Sequence, residues 1–429
     1  MGVAALAATF VILSSGVLRR DHVALASSAL PSAVVEQLQR GFATGDTSAL
    51  VAGLQSELHD DPSMSKTWAS LGLAYEQRAR ETGDASYYGK ADGAFREALA
   101  LNPSDLVATA GLGQLALSRH RFGAALALGV RARRLSPTTA GVYGVLGDAE
   151  LELGRYRPAF RDFDRMAALK PGVSAYARVS YAQELLGHTA RAIETMQLAI
   201  SSAVGEREAG AWTRVQLGLL YLSTGRPALA ARQMREALEL FPGYAFGLDG
   251  MAQALVALGR RAAALRFETA AVDRIPLPQY VGLLGDLYRA SGQEAQARRQ
   301  YALIDAIERL LAANGVRNDL DIALFDIDHG RALPHALALA RQGHRYRPSI
   351  FGDDVLAWAL ARNGHCHEAL RYSRSSLRLG TRDAVKYFHR GMIERCLGKL
   401  ASSRVWFARA RALNQNFSVL WAPFVRRHA

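Results

Sequence analysis

Three potential metal ligands, His365, Cys366 and His367, stand side by side near the C-terminal end of the sequence. A structural zinc site needs four ligands that converge on one ion, and adjacent residues of a turn cannot do this without two distant ligands. The only other cysteine, Cys396, is not at metal-ligand spacing from them. We therefore expect no metal site here.

A cluster of acids raises the separate question of calcium. Asp319, Asp321, Asp326 and Asp328 lie close together in the sequence, but the loop glycine and terminal glutamate of a calcium-binding loop are absent. Solvated helix faces account for these acids more simply.

Two glycine-containing stretches resemble nucleotide-binding motifs only in part. Gly111, Gly113 and Ala116 follow the dinucleotide fingerprint, but no strand pattern precedes them. Residues 83–91 resemble a phosphate-binding loop, yet they have one residue too many between the glycines, and Ala91 stands where Ser or Thr is needed. Because G-x-S-x-G and H-E-x-x-H are also absent, we expect no catalytic residue, no cofactor and no enzyme.

Proline and glycine recur along the chain at a fixed interval. Pro103, Pro137 and Pro171 are 34 residues apart, and so are Gly225 and Gly259. Proline ends a helix because it cannot donate a backbone hydrogen bond and clashes with the preceding turn. Glycine favours the left-handed conformation that follows many helices. The spacing predicts a repeated unit of two helices.

Within the repeat, residues 68–75 read WASLGLAY and match the W-x2-L-G-x2-Y signature in full. Ala91, Phe95, Ala98 and Pro103 follow in the expected order. The sequence therefore resembles the tetratricopeptide repeat (TPR) family, over about 90 percent of its length. The resemblance implies an all-α fold, a right-handed α-solenoid of about ten to eleven TPR-type helix pairs.

The repeat register divides the chain into four parts. Residues 1–30 form an apolar N-terminal segment and linker, residues 31–64 a degenerate first helix pair, residues 65–415 the TPR array and residues 416–429 a C-terminal cap.

Inside the array, a glycine in the first helix of a pair allows a neighbouring helix to approach closely. We expect a long loop at residues 80–89 in the first pair and a long second helix that reaches Asn314 in the seventh. The first-helix glycines are predicted to be Gly113, Gly147, Gly218 and Gly285.

The family resemblance implies that the first helices line a concave groove that binds a protein or peptide. A carboxylate clamp is not expected, because alanine or glycine stands where its lysine would be. On the stripe that faces the groove, eight acids stand against three arginines, although the whole chain carries +13. We therefore predict a basic and apolar partner segment and a partner-binding groove at Asp148, Glu152, Tyr181, Glu184, Asp249, Asp286 and Trp358.

The positive charge of the chain leaves nucleic acid as an alternative partner, bound by arginine-rich second helices. The chain contains 47 Arg and five Lys without a run of five basic residues, whereas a phosphate-binding surface should be clustered. A protein partner fits this scattered distribution better.

Residues 2–18 are uncharged and intermediate in length between the core of a signal peptide and a membrane span. A secretory signal fits the apolar run, and a membrane anchor fits its length and the following Arg19 and Arg20. An Ala-rich first helix is the third interpretation. We expect membrane anchoring or export, with a cytoplasmic protein as the alternative.

Cys366 and Cys396 fall in neighbouring helix pairs, one at a turn and the other at the end of a first helix. A bridge between them would require Cα atoms within about 7 Å. We expect two free thiols.

Overall fold

The computed structural model describes residues 47–428. Regular structure in this range consists of 22 helices. In chain order they are α1 Ser48–Asp60, α2 Ser65–Thr82, α3 Ser86–Leu101, α4 Leu106–Ser118, α5 Phe122–Leu135, α6 Ala140–Glu152, α7 Tyr156–Leu169, α8 Val173–Leu185, α9 Thr189–Ser202, α10 Arg207–Ser223, α11 Pro227–Leu240, α12 Ala245–Ala257, α13 Arg261–Arg274, α14 Pro278–Ala290, α15 Glu294–Ala313, α16 Asp319–His329, α17 Leu333–Tyr346, α18 Ile350–Arg362, α19 Cys366–Ser376, α20 Ala384–Cys396, α21 Leu400–Leu413 and α22 Ala422–His428.

Helices α2 to α21 form ten consecutive pairs, in which each first helix packs on the second helix that follows it. The predicted all-α solenoid is confirmed. Helix α1 falls in the segment 31–64. The first part of that segment, residues 31–46, and the whole segment 1–30 lie outside the described residues. Helix α22 falls in the segment predicted as a cap and packs on α21.

Small residues set the spacing within each pair. Gly147 lies inside α6, and a Cβ atom there would be only 2.4 Å from Phe163 Cε1 of the paired helix. Ala159 of that helix is fully buried against it. The prediction that Gly113, Gly147, Gly218 and Gly285 lie inside first helices is confirmed.

The expected long loop at residues 80–89 is wrong. Helix α2 continues to Thr82 and α3 begins at Ser86. In the short turn between them the Ser86 amide donates a hydrogen bond to Asp84 Oδ1 (2.8 Å), a contact typical of an aspartate turn. The expected long second helix of the seventh pair is confirmed, since α15 extends to Ala313 and Asn314 is its cap.

The first helices form the inner layer of the solenoid. At most junctions between successive pairs the first helices pack closely on one another, the exceptions being α12 with α14 and α14 with α16. The second helices of successive pairs make at most marginal contact among the described helices. In a curved array the layer with the smaller radius is the more crowded one. The concave face therefore belongs to α4, α6, α8, α10 and their equivalents.

Successive turns of the superhelix touch each other. In each of the first five pairs, the turn between the two helices lies against the connection that follows a later pair, five pairs further along the chain. Five pairs correspond to about one turn of the superhelix. We call these the inter-turn contacts. They include His120 Nδ1 to the Arg317 carbonyl (2.8 Å), the Ile350 amide to the Tyr156 hydroxyl (2.6 Å), Thr381 Oγ1 to the Leu185 carbonyl, and Asn414 Nδ2 to the Leu222 carbonyl (2.7 Å).

Gly154 shows why this approach requires glycine. It adopts the left-handed conformation that glycine favours at the end of a first helix (φ 72°). A Cβ atom on Gly154 would also lie 2.5 Å from the Pro348 carbonyl oxygen of the next superhelical turn. The inter-turn contacts thus bring the backbones of two superhelical turns into direct contact along these five pairs.

Candidate partner-binding interior

The inner face carries most of the residues that the sequence predicts for partner binding, and the chain itself neutralises several of them. Asp148 at the end of α6 forms a two-pronged ion pair with Arg178 of α8, with Nη2 to Oδ2 at 2.7 Å and Nε to Oδ1 at 3.0 Å. Burial raises the pKa of Asp148, and Arg178 opposes that rise.

Glu152 is held by a base from the next superhelical turn. Its carboxylate accepts two hydrogen bonds from Arg347, one of them at 3.0 Å from Nη2 to Oε1. The Arg347 guanidinium also lies over the rings of Phe122 (5.6 Å) and Phe351 (4.5 Å). Both charged side chains are almost completely buried, so this inter-turn ion pair is shielded from water.

Tyr181 and Glu184 lie one turn apart on α8, close to the Glu152–Arg347 pair. Burial raises the pKa of Tyr181, and the charge of Glu152 raises it further. Burial also raises the pKa of Glu184 to about 7, with Asp383 adding to the rise and Lys386 opposing it. The structure therefore brings Asp148, Glu152, Tyr181 and Glu184 into one neighbourhood in the third and fourth pairs.

Asp286 of α14 is also internally satisfied. Its Oδ1 atom accepts hydrogen bonds from the Tyr301 hydroxyl (2.8 Å) and from His329 Nε2 (2.7 Å). Burial lowers the pKa of His329, but the hydrogen bond and charge of Asp286 outweigh it and leave that pKa raised. The opposite ring nitrogen of His329 faces the Phe325 carbonyl, which also favours the imidazolium form.

Trp358 belongs to the core of the ninth pair. Its side chain is 1% exposed and stacks on His389 with ring centroids 4.8 Å apart. The indole Nε1 donates to Asp328 Oδ1 (2.9 Å). Trp358 thus contributes packing and stands apart from the other predicted residues.

A cavity of about 110 Å³ lies between α10, α12 and α14 and contains Asp249 and Asp286 in its wall. Asp249 accepts a hydrogen bond from Gln253 Nε2 (2.8 Å). Burial raises the pKa of Asp249 to about 7, and the bond from Gln253 opposes the rise. The far wall is formed by the segment 414–419, which enters the interior between α21 and α22.

Two basic side chains of the interior, Arg178 and Arg347, are not among the residues predicted from the sequence. Arg178 lies on α8, two residues before Ser180, which is the equivalent of the first-helix glycine. This position is outside the stripe predicted to face the groove. Arg347 lies in the connection between α17 and α18, which no helix pattern assigns to the inner face. A hydrophobic and charge pattern limited to first helices could not have revealed either residue.

The two cysteines form a disulfide bond, with Cα atoms 5.8 Å apart. The prediction of two free thiols is wrong. Cys366 begins the second helix of the ninth pair and Cys396 ends the first helix of the tenth, so the stacking of adjacent pairs brings these two helix ends together.

No group of three or more His, Cys, Asp or Glu side chains within residues 47–428 is arranged to hold a metal ion.

None of the helices described between residues 47 and 428 is both long and apolar enough to cross a membrane. The apolar run at residues 2–18 lies outside that range.

Comparison with known proteins agrees with the helix-pair architecture. The tetratricopeptide repeat family model matches residues 213–244, which include most of α10, the whole of α11 and the connection after it. Together with the ten pairs and the 34-residue register, this match confirms the predicted resemblance to tetratricopeptide repeat proteins. No curated protein matches the sequence.

Several solved structures share the helical repeat. A thermophilic TPR protein from Thermus thermophilus is 25% identical, with 45% of this chain and 98% of that chain covered and a TM-score of 0.39. YrrB, described as a TPR protein with an unusual peptide-binding site, is 20% identical over 43% of this chain and 94% of its own (TM-score 0.29). The APC/C hetero-tetramer Cut9-Hcn1 is 13% identical over 92% and 83% (TM-score 0.39). All three TM-scores are below 0.5, and no functional conclusion follows from them.

Proposed function

We propose that this protein is a non-catalytic scaffold that binds an irregular peptide segment on the inner face of its superhelix. The segment 414–419 of its own chain carries the proposal, because it already occupies part of that face. Asn414 Nδ2 donates to the Leu222 carbonyl (2.7 Å) and Asn416 Nδ2 to the Ala257 carbonyl (2.8 Å), at the ends of two first helices. Val419 packs against the apolar core of the central pairs.

The chemistry of the remaining inner face favours a partner segment with basic and apolar side chains. Asp249 and Glu184 are the two predicted acids without a direct ion pair to a base in the described structure. Leu219, Phe246 and Leu283 line the cavity beside Asp249. Such a surface suits apolar anchors flanked by positive charge.

A synthetic fluorescent peptide that alternates Lys and Leu tests this role. We expect the double substitution Glu184→Gln and Asp249→Asn to weaken its binding by about tenfold, equivalent to about 1.4 kcal/mol, in a fluorescence polarisation titration. Helicity should stay unchanged and thermal stability should not fall, because the amides keep the shape of the carboxyls and carry no buried charge. Asp148 is left in place, since its removal would strand the buried Arg178.

The matched control removes the same charge from two exposed acids of second helices, Glu97→Gln with Glu239→Gln. Equal affinity of the interior variant, the control variant and the unmodified protein would contradict the proposed site. The arginines of the nucleic-acid alternative, such as Arg131, Arg133 and Arg134, are exposed on the outer layer. The alternative would be supported instead if the protein bound a single-stranded oligonucleotide more tightly than the peptide, and if that affinity fell steeply as the salt concentration rose.

We further propose that the solenoid works in an oxidising compartment, after export or anchoring through residues 2–18. The Cys366–Cys396 bond supports this location, because structural disulfides persist outside the reducing cytosol.

Alkylation of the natively expressed protein, quenched at lysis, should then label neither cysteine until a reductant is added. The intact mass read by mass spectrometry gives the number of labelled thiols. Two alkylated cysteines without reductant would place the chain in a reducing compartment and favour the cytoplasmic alternative.

A further inference from the structure

Asp249 differs from its neighbours on the inner face because the group beside it is an acid. Asp148 meets Arg178, and Asp286 meets His329. The Asp249 carboxyl instead lies beside that of Glu268 on α13, and no ion pair joins either of these two carboxyls to a base within residues 47–428. Two buried acids thus share one site without an internal counter-ion.

The same site contains buried acceptors that have no donor. Apart from the contact with Asp249, both carboxyl oxygens of Glu268 lack a hydrogen-bond partner in the described structure, and so does the Tyr280 hydroxyl. Glu268 and Tyr280 are both 0% exposed. A buried polar group left without a partner is costly and calls for an explanation, such as a bound group.

Tyr280 connects this cluster to the cavity. It lines the cavity together with Asp249. Burial raises the pKa of Tyr280, and the charges of Asp249 and Glu268 raise it further. The cavity wall beyond them is apolar and includes Val215, Leu219 and Leu283.

We propose that this cavity binds a primary alkylammonium group, with Asp249 as its counter-ion, Tyr280 as a further acceptor and the apolar wall around its alkyl stem. An ammonium has three donors and no acceptor, which complements a cluster rich in acceptors. A cavity of about 110 Å³ corresponds to roughly four water volumes, enough for an ammonium and a short stem.

The source of this group is the side chain of a lysine in the bound segment, so the inference rests on the proposed function and names its anchor. Burial raises the pKa of Asp249 to about 7. At neutral pH the pair of acids therefore takes up either a proton or a cation. Ser418 and Val419 complete the cavity wall, and the test accordingly uses the full chain.

Isothermal titration of the full chain with n-butylamine tests the site. We expect saturable binding of n-butylamine and none of n-butanol, which has the same stem without charge, or of tetramethylammonium, which has charge without N–H donors. Asp249→Asn should weaken the affinity by roughly tenfold or more. Tyr280→Phe should also weaken it, and because this substitution removes only an unpartnered oxygen, helicity should be retained.

Equal binding of tetramethylammonium, or full affinity in a folded Tyr280→Phe protein, would overturn the ammonium site even if Asp249→Asn fails to fold. The Lys-Leu peptide identifies the source, since acetylation of its lysines should abolish the contribution of Asp249. Peptide binding without amine binding would overturn this inference alone. Loss of both peptide and amine binding would overturn the proposed function as well.

Discussion

Arg347→Leu should lower the free energy of unfolding by about 3–5 kcal/mol, because it leaves the buried Glu152 carboxylate without its counter-ion. Arg347 and Glu152 are 195 residues apart in the sequence, so the loss should also separate two superhelical turns. Urea denaturation followed by circular dichroism measures the first effect. Small-angle X-ray scattering measures the second, as an increase in the radius of gyration under native conditions.

Two further variants separate the ion pair from general damage. Arg345→Leu removes an exposed arginine two residues away and should change stability by no more than about 0.5 kcal/mol. Adding Glu152→Leu to Arg347→Leu removes both charges and should restore much of the lost stability. If Arg347→Leu behaves like Arg345→Leu, the inter-turn ion pair does not stabilise the closed superhelix.

Stability should fall as the pH rises from about 5 to 8.5, and Glu76 should cause a large part of the fall. Glu76 is 5% exposed, and neither of its carboxyl oxygens has a hydrogen-bond partner in the described structure. Burial raises its pKa to about 8, while the charges of Arg80 and Arg119 oppose the rise.

The sign follows from proton binding. In the unfolded chain Glu76 loses its proton near its ordinary pKa of 4.5, whereas in the folded chain it keeps that proton up to about 8. The folded state therefore binds more protons between these values, and stability is lost as the pH rises through this window. The contribution of Glu76 to that loss is on the order of 4 kcal/mol.

Glu76→Gln should remove this dependence. The variant is expected to melt at a higher temperature than the unmodified protein at pH 8.5 and at a similar temperature near pH 5. Glu97→Gln, at an exposed position, serves as the control and should leave the profile unchanged. Parallel pH profiles for the Glu76→Gln and unmodified proteins would show that Glu76 is not held protonated in the fold.

Local rules were sufficient to predict the ten helix pairs. The positions of Gly113 and Gly147 depend on contacts between helices adjacent in the sequence, and Gly154 ends a helix whatever lies beyond it. The disulfide and the inter-turn contacts depend instead on how adjacent pairs stack and on the small rotation from each pair to the next, summed over five pairs. Sequence spacing contains little information about that sum.

The same distinction explains the predicted site. Helical spacing placed Asp148, Glu152 and Asp249 on one stripe, and the structure buries all three side chains toward the inner layer. It could not show that Arg347 would approach Glu152 from the next superhelical turn, or that Glu268 would approach Asp249 from a second helix. The acidity expected of an open groove is therefore largely compensated. Among the predicted acids, only Glu184 and Asp249 have no ion pair to a base in the described structure, and Asp249 lies beside a second acid.

The inter-turn contacts also limit how this gene can change its length. An open solenoid tolerates the gain or loss of a unit, since each unit touches only its neighbours. Here each turn in the first half of the chain contacts a particular connection in the second half. Tyr156, for example, contacts Ile350, and Leu185 contacts Thr381. Duplication or deletion of one pair between two such contacting elements would shift all the later inter-turn contacts out of register at once. The contacts thus fix the number of pairs that separate two contacting elements, here five.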